Sequence, residues 1–337
     1  MKNCLRTNKY TNLQYKLNTL LSPVGTLELL VEYLELAKEL VLGEKKWMIN
    51  YNEQQYLSLL QELVDKADST SDIRKDRTGV GTISLFGRTM EFDLSDMKVP
   101  LLTTKKVPYQ RVLEELFWMF RLGNPDTSYL DDNNNNIWKS WTVYNNTYPQ
   151  GTIGKMYGQI LRDPECDQLR YVIDLLKKNP TSRRAVISVF DPRVVADESK
   201  TFEENVMNGK GVLNPCHLNF GQFYINDDNE LESMFIQRSA DIPVGLPFNL
   251  MFYGVFSHLI ARSLGIQAKR MVYVVADTHI YSNQVEGAKE QLPRPPYECP
   301  TIIIDENIKD FDDWNDVSQV TINNYQHHPF IKFPVAV

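Results

Sequence analysis

The sequence predicts an α+β fold in which helices cover a mixed sheet, and three observations support this prediction. The chain has 337 residues, of which 42% are apolar and 23% charged, so it can bury a large core. Helical and strand patterns follow one another without regular alternation, which favours α+β over a doubly wound parallel sheet. Residues 248–264 are apolar on nearly all sides, which is typical of a central buried helix.

The first 50 residues differ from the rest, so we predict an N-terminal extension over residues 1–50 and a main domain over residues 51–337. Thr26 is a suitable N-cap, apolar residues follow it at helical spacing, and Gly43 ends the pattern. This pattern indicates one amphipathic helix, which either packs on the main domain or binds a partner.

The main domain begins with a predicted helix over residues 56–67 and strands over residues 81–92, with a turn at Gly87. Apolar residues then recur at positions i, i+3, i+4 and i+7 within residues 108–122, and Gly123 follows them. This spacing predicts a buried helix with a glycine at its end.

The second half of the domain is predicted to contain most of the sheet. Asp167 is an N-cap for a helix that Asn179-Pro180 ends, and the four asparagines of residues 133–136 predict a solvated loop. Strands are predicted over residues 184–190, 217–225, 230–237 and 271–276, with a hairpin turn at residues 227–229 and a further helix from Tyr281.

Composition argues against several classes of function. A net charge of -7 does not favour a nucleic-acid groove, and no apolar run reaches the roughly 18 residues of a membrane span. The N-terminus lacks the core of a signal peptide, so we predict a cytoplasmic protein, in the host cytoplasm if a virus encodes it. The five histidines show no HxxxH or HExxH spacing, so no metal site is predicted. The four cysteines, Cys4, Cys166, Cys216 and Cys299, form no CxxC pair, which indicates free thiols.

Cys216 is the candidate nucleophile among these thiols. It lies in Asn214-Pro215-Cys216-His217 at the start of a predicted strand, where a thiol can be exposed at a sheet edge. Arginines at the ends of other predicted strands could supply the positive charge that a thiolate needs. The alternative is a small core residue without a chemical role.

Arginines form the candidate anion site. Residues 237–241 place Arg238, Ser239 and Asp241 directly after a predicted strand, which suits a phosphate with a polar ligand beside it, although a surface salt-bridge cluster is the alternative. Arg183 and Arg184 should point to opposite faces of a strand, so both could serve one site only with the help of a second subunit.

Two further groups are candidates for proton transfer and hydroxyl binding. Glu115 lies in the predicted buried helix beside Trp118, where burial should raise the pKa of its carboxyl group, unless it faces solvent at the helix boundary. His279 and Tyr281 follow a strand and could bind a hydroxyl group, although a structural histidine is an equally good interpretation.

These segments together resemble the thymidylate synthase family, and the resemblance runs from about residue 56 to the C-terminus. Each motif is weak alone, but the set in this order is specific. The motifs are Asp76-Arg77-Thr78-Gly79, Thr103-Thr104-Lys105, Glu115-Leu116 with Trp118, Ile137-Trp138, Tyr157-Gly158, Ser182-Arg183-Arg184, Pro215-Cys216-His217, Gln237-Arg238-Ser239-Ala240-Asp241, Gly245-Leu246-Pro247-Phe248-Asn249, Asp277-Thr278-His279-Ile280-Tyr281 and Pro334-Val335-Ala336-Val337.

The resemblance implies a homodimer packed through its sheets that acts on dUMP, with 5,10-methylenetetrahydrofolate as cosubstrate. The catalytic residues that it implies are Cys216, Glu115, Tyr157, Arg238, Asp241 and Asn249. For dUMP it implies Arg77, Arg183, Arg184, His217, Gln237, Arg238, Ser239, Asn249, His279 and Tyr281, with residues 183 and 184 reaching from the second subunit. For the folate it implies Lys105, Trp138, Leu213, Asp241, Gly245, Phe248, Val335 and Ala336.

The same resemblance implies a mechanism with two possible products. The Cys216 thiolate adds to C6 of uracil, which makes C5 a nucleophile toward the folate methylene. Hydride reduction of the exocyclic methylene gives dTMP and dihydrofolate, whereas entry of water gives hydroxymethyl-dUMP. Asn249 favours uracil because an amide both donates and accepts, while cytidylate-specific relatives carry Asp there. An inactive nucleotide- or RNA-binding regulator is a further alternative, against which intact Cys216, Glu115 and Tyr157 argue.

Several positions depart from the family pattern. Leu161 and Phe190 stand where the family has tryptophan, and residues 216–223 are one residue longer than the family strand, with Gly221 as the expected bulge. Asn219 or Gln222 could then admit or orient a water. The tryptophan at position 138 and the C-terminal tail are kept, and they should exclude water.

Overall fold

A computed structural model describes residues 50–69, 73–75 and 79–335 of the protein. The helix predicted in the N-terminal extension lies outside these residues, and so do Arg77 and Ala336.

The described chain alternates irregularly between helices and strands. The helices are α1 (Tyr51–Ser69), α2 (Tyr109–Leu116), α3 (Ser128–Asp132), α4 (Gly158–Leu161), α5 (Gln168–Lys178), α6 (Phe202–Met207), α7 (Gly245–Leu264) and α8 (Val285–Gln291). The strands are β1 (Thr82–Asp93), β2 (Arg162–Asp163), β3 (Cys166–Asp167), β4 (Val186–Ile187), β5 (Phe220–Ile225), β6 (Glu230–Asp241), β7 (Gln267–Tyr281), β8 (Thr301–Ile304) and β9 (Val320–Asn323). Short 3-10 helices lie at Ser95–Met97, Lys139–Trp141, Ser282–Gln284, Phe311–Asp313 and Val317–Gln319.

The main sheet confirms the predicted fold class. Within the described residues five strands pair in the order β1-β7-β6-β5-β4. Strands β6 and β7 are parallel and the other pairs antiparallel, so the sheet is mixed. Since α7 connects β6 to β7, this parallel pair has the helical crossover that parallel strands need. The ends of β6 and β7 carry the motifs at residues 237–241 and 277–281.

Helix α7 is the central helix that the sequence predicts, and it is buried along almost its whole length. Its rings pack edge to face with those of neighbouring elements: Phe120 lies 4.9 Å from both Phe252 and Phe256, measured between ring centroids. Gly265 ends the helix with φ +71°, a left-handed conformation that glycine adopts without steric cost. The apolar core therefore lies between α7 and the main sheet.

Several boundaries differ from the prediction. No turn interrupts β1: Gly87 has φ +69°, but Phe86 and Arg88 on either side both pair with β7. A glycine can adopt this conformation within a strand, and the long partner strand holds both of its neighbours. Helix α2 does not continue as an α-helix to residue 122, because Phe117–Leu122 is a π-helix that ends at Gly123.

The edge of the sheet is shorter than predicted. Strand β4 contains only Val186–Ile187, and β5 begins at Phe220 because Leu218 has φ +52° and turns the chain out of the extended conformation. Strand β6, by contrast, continues to Asp241, because β7 pairs with it along its full length. The loop of residues 133–136 is also only partly solvated, since Asn135 is buried and donates to the Arg111 carbonyl.

Candidate active site

Cys216 lies in the loop that precedes β5, and its thiol is half-buried rather than exposed as the sequence predicts. Its backbone N–H donates to the Tyr157 hydroxyl oxygen at 2.9 Å, and the same oxygen lies 3.4 Å from Cys216 Sγ. Burial raises the pKa of the Cys216 thiol, while the Tyr157 hydroxyl and the Arg238 charge oppose that shift. A single tyrosine oxygen therefore contacts both the backbone N–H and the sulfur of this cysteine.

Tyr157 is held in an unusual conformation at the start of α4. Its φ is +44°, which is rare for a residue with a side chain, and the side chain is buried. The next residue must be glycine, because a Cβ on Gly158 would lie 1.8 Å from the Met119 carbonyl oxygen. The Tyr157-Gly158 motif thus directs the tyrosine ring toward the cysteine while the backbone passes close to the π-helix.

His217 stacks on Tyr157, with ring centroids 4.4 Å apart and an interplanar angle of 24°. Its Nδ1 is hydrogen-bonded to the hydroxyl of Tyr253 on α7. Burial lowers the pKa of His217 to about 3, so the imidazole is neutral near pH 7. Sequence reasoning missed Tyr253, because it lies inside an apolar helix and its spacing gives no signal of a polar contact.

Glu115 faces the interior from the last turn of α2, and its side chain is buried. Trp138 Nε1 donates to Glu115 Oε1 at 2.7 Å, while Trp118, the partner expected from sequence, donates to the Asp126 carbonyl instead. Burial raises the pKa of Glu115 to about 7, which confirms the predicted direction. Its charge contributes to the raised pKa of the Cys216 thiol, so the two groups act on each other.

Arg238 is exposed on β6, and its guanidinium binds the loop that carries the cysteine. Its Nε donates to the Pro215 carbonyl at 2.9 Å and its Nη2 to the Asn214 carbonyl at 2.8 Å. Residues 237–241 lie inside β6 rather than after it, so successive side chains alternate between the two faces of the sheet. Ser239 directly follows Arg238 in this strand and is half-buried.

Arg183 and Arg184 precede β4 and are both exposed, so the expectation that they alternate along a strand is wrong. Ser182, directly before them, is buried, and its hydroxyl oxygen accepts from the Arg184 N–H. Among the described residues neither guanidinium has a hydrogen bond or an ion pair. The arginine pair is therefore presented outward from the edge of the sheet.

Polar side chains on β6, β7 and α7 form two groups. Asn249 Nδ2 donates to Gln237 Oε1 at 3.1 Å, and the Tyr273 hydroxyl donates to the same oxygen at 2.6 Å. His279 Nδ1 lies 3.1 Å from Asp277 Oδ1, and the His279 and Tyr281 rings meet edge to face at 5.3 Å. The bonded amide of Asn249 keeps its own oxygen and one N–H for a ligand.

The residues predicted to bind the folate differ in solvent exposure. Lys105 is buried, donates to the Pro243 carbonyl and lies 4.5 Å from the centroid of the Phe333 ring. Burial lowers the pKa of Lys105 to about 7. Leu213, Phe248 and Gly245 are only partly buried, and Val335 is exposed.

Asp241 connects this region to the C-terminal segment. Its Oδ1 accepts from the Val244 N–H at 3.0 Å and its Oδ2 from Gln284 Nε2 at 2.9 Å, while burial raises the pKa of the carboxyl group. Gln284 is fully buried and also donates to the Pro334 carbonyl at 2.9 Å. Sequence reasoning missed Gln284, since one amide after a motif does not signal a bond to a segment 50 residues away.

The segment before β5 differs from the prediction. Gly221 pairs regularly with Phe235 and forms no bulge, and the departure from extended backbone lies earlier, at Leu218, which has a positive φ. Asn219 Nδ2 donates to the Pro215 carbonyl and its Oδ1 accepts from the Arg238 N–H, while Gln222 Nε2 donates to the Arg183 carbonyl at 3.3 Å. Of the two replaced tryptophans, Leu161 is fully buried and Phe190 is 41% exposed.

Over residues 50–69, 73–75 and 79–335, no group of three or more His, Cys, Asp or Glu side chains is arranged to hold a metal ion. In the same part of the chain, no helix has the length and apolar character that crossing a membrane requires.

Fold and site together define a class of protein: a mixed-sheet α+β protein whose half-buried cysteine contacts a tyrosine hydroxyl near a buried carboxyl group. The family model of thymidylate synthase matches residues 54–337. The curated thymidylate synthases of Francisella philomiragia subsp. philomiragia and Francisella tularensis subsp. holarctica (strain LVS) are 39% and 37% identical to the chain over 295 and 287 residues. Each alignment covers 84% of this chain and 100% of the relative. The chain belongs to the thymidylate synthase family, and these names do not favour the hydroxymethylase alternative.

Proposed function

We propose that the protein transfers a one-carbon unit from 5,10-methylenetetrahydrofolate to C5 of dUMP, giving dTMP and dihydrofolate, with Cys216 as the nucleophile. The observation that carries this proposal is the contact of Cys216 with Tyr157, whose hydroxyl oxygen binds the cysteine N–H and lies 3.4 Å from Sγ. Family membership and the names of the relatives support the same reaction.

In the proposed first step, the Cys216 thiol gives its proton to solvent water and its sulfur forms a bond to C6, while the C5–C6 π electrons move toward C5. The Arg238 charge and the Tyr157 hydroxyl both favour the thiolate, against the effect of burial. Since burial keeps the thiol protonated in the free protein, deprotonation would accompany nucleotide binding.

Glu115 is the proposed proton carrier at the pyrimidine ring. A carboxyl group with a pKa of about 7 is present in both protonation states near neutral pH, so it can give or take a proton at little cost. The bond from Trp138 Nε1 fixes one carboxyl oxygen and leaves the other for the substrate.

For dUMP, we propose that Asn249 binds the pyrimidine edge, that His279 and Tyr281 bind the 3'-hydroxyl, and that Arg238 and Ser239 bind the phosphate. An amide can complement the N–H and carbonyl edge of uracil. Gln237 holds the Asn249 amide in place, which supports its assignment to recognition rather than to packing. Arg77 and His217 complete the proposed set.

The residues around Asp241 fit a folate. The Asp241 carboxylate can accept further hydrogen bonds, and a Cβ built on Gly245 would meet no atom within 4 Å, so there is open space beside the carboxylate. Trp138, Leu213 and Phe248 would add apolar contacts for a flat ring system. When bound, the folate supplies the methylene carbon and the hydride; the tail with Val335 and Ala336 would exclude water.

We further propose a homodimer in which Arg183 and Arg184 bind the phosphate in the other subunit's site. Two exposed arginines whose guanidinium groups have no bonded partner in the described part of the chain are consistent with binding an anion outside their own subunit. Lys105 is assigned to the folate by family resemblance, although its ammonium group is bonded within the protein. The division at residue 50 and the cytoplasmic location stay predictions.

The proposal is tested by incubating the full-length protein with dUMP and methylenetetrahydrofolate, following dihydrofolate absorbance and identifying the nucleotide by mass. Dihydrofolate together with dTMP is expected. Tetrahydrofolate with hydroxymethyl-dUMP would show that water quenches the adduct, and binding without any product would contradict an enzymatic function.

A further inference from the structure

Asn219 lies directly before β5, and its side chain forms a bridge. Its Nδ2 donates to the Pro215 carbonyl at 3.0 Å, and its Oδ1 accepts from the Arg238 N–H at 2.8 Å. The bridge therefore joins the residue before the nucleophile to the residue proposed to bind phosphate.

The conformation of Leu218 makes this bridge possible. Leu218 is fully buried with φ +52°, which interrupts the extended conformation directly after His217. The Asn219 backbone then joins the sheet, since its N–H donates to the Ile236 carbonyl at 3.1 Å, and its carbonyl accepts from the Ser188 hydroxyl at 2.7 Å. With the backbone held on both sides, the side chain can reach back toward the cysteine.

The bridge immobilises the peptide unit between Pro215 and Cys216. The carbonyl oxygen of this unit accepts from Asn219 Nδ2 and from Arg238 Nε, and its N–H donates to the Tyr157 hydroxyl oxygen. The Arg238 N–H is shared between Asn219 Oδ1 and the Cys216 carbonyl. Both polar groups of the peptide that carries the thiol are thus fixed, and a thiol on a fixed peptide keeps its position relative to Arg238 and Tyr157.

We propose that Asn219 is a positioning residue for the chemistry at Cys216, and that it holds the nucleophile and Arg238 in one fixed arrangement. The proposal rests on the proposed function of Cys216 and extends it to a residue that does not touch the substrate. A misplaced reacting atom typically lowers the reaction rate strongly even when substrate binding persists. A residue that only stabilises the fold would instead lower Tm without changing kcat.

The strand β5 supplies a matched control, because an asparagine flanks each of its ends. Asn226 follows β5 at the hairpin, where its Oδ1 accepts from the N–H groups of Asp228 and Glu230 and its Nδ2 donates to Glu232. Asn226→Ala therefore removes a comparable set of hydrogen bonds from the opposite end of the same strand.

The test measures kcat, KM for dUMP, Tm and the pH profile of Cys216 alkylation by iodoacetamide in the full-length variants Asn219→Ala, Asn219→Asp and Asn226→Ala. Alkylation is followed by the mass of the peptide that contains Cys216. For both Asn219 variants we expect kcat to fall by about tenfold to a hundredfold, with KM changed much less and the alkylation midpoint displaced. The Asp variant keeps the size of the side chain and tests the bridge if the Ala variant does not fold.

For Asn226→Ala we expect a lower Tm with wild-type kcat and alkylation midpoint. The proposal is wrong if the Asn219 variants also differ from wild type only in Tm. Alkylation needs no nucleotide, so the effect of Asn219 on Cys216 can be measured even if the wild-type protein makes no dTMP. A wild-type protein that makes no dTMP would overturn the proposed function, not the positioning role of Asn219.

Discussion

The region around Cys216 and the pair Arg183 and Arg184 differ in whether their polar side chains have bonded partners within one chain. Around Cys216, the groups of Tyr157, Glu115 and Arg238 are bonded to specific partners before any ligand binds. Arg183 and Arg184, by contrast, are exposed, and the described part of the chain offers their guanidinium groups no bonded partner.

This difference shows that the groups around Cys216 are held in place within one chain, and it is consistent with the proposal that the arginine pair binds phosphate in a second subunit. Groups that must develop or move charge are most effective when fixed by the fold, since their orientation then costs nothing during reaction. A phosphate, in contrast, brings its own charge and can order flexible arginines when it binds. Variants that change one region and leave the other intact would test this distinction.

The largest effect is expected for Cys216→Ser. The hydroxyl is a far weaker nucleophile, so kcat should fall by a factor on the order of 10⁴ or more, with nucleotide binding retained. The covalent adduct with 5-fluoro-dUMP and folate, detected by mass, should disappear. Cys166→Ser, at an exposed cysteine, is the control and should form the adduct normally. An adduct that persists in Cys216→Ser would show that another residue is the nucleophile.

A smaller effect is expected for the double variant Arg183→Ala/Arg184→Ala. The loss of two charge-assisted hydrogen bonds should raise KM for dUMP by about a thousandfold, because each contributes roughly 1.5–3 kcal/mol. Mixing this variant with Cys216→Ser after subunit exchange should restore about a quarter of wild-type activity, since half of the randomly paired dimers carry one complete site. If the arginines act within their own subunit, mixing restores nothing.

The smallest effect is a pH-dependent change in stability on Glu115→Gln. The folded-state pKa of Glu115 is raised to about 7 from 4.5, so its stabilising contribution is present below pH 4.5 and is lost as the pH rises through 7. The uncharged variant keeps an acceptor for Trp138 and avoids this loss. It should be more stable than wild type by up to about 3 kcal/mol at pH 8, and similar to it near pH 4.5.

Urea unfolding at both pH values and at one protein concentration measures this difference, and turnover of dUMP should be lost in the same variant. Equal stability of the two proteins at pH 8 would mean that Glu115 is ionised in the folded protein at little cost, which would contradict its role as a proton carrier.

The sequence predicted the main elements of the fold. The apolar pattern of α7, the Asp167 N-cap, whose side chain accepts from the Arg170 N–H, and the hairpin at residues 227–229 are all confirmed. Local signals determine these features, because side-chain periodicity and capping act over a few residues. Strand ends were predicted less well: β4 is shorter and β6 longer than expected, since pairing with a neighbouring strand decides where a strand ends.

By itself, the sequence determined the fold class, the family resemblance and the identity of the candidate nucleophile, because periodicity and ordered motifs depend only on residue types and spacing. Only the tertiary structure decided that the Cys216 thiol is half-buried against Tyr157, that Gln284 connects Asp241 to the tail, and that Asn219 binds the loop that carries Cys216. These contacts join residues from different elements or depend on the positive φ of Leu218, and hydrogen-bond partners of that kind are set by packing.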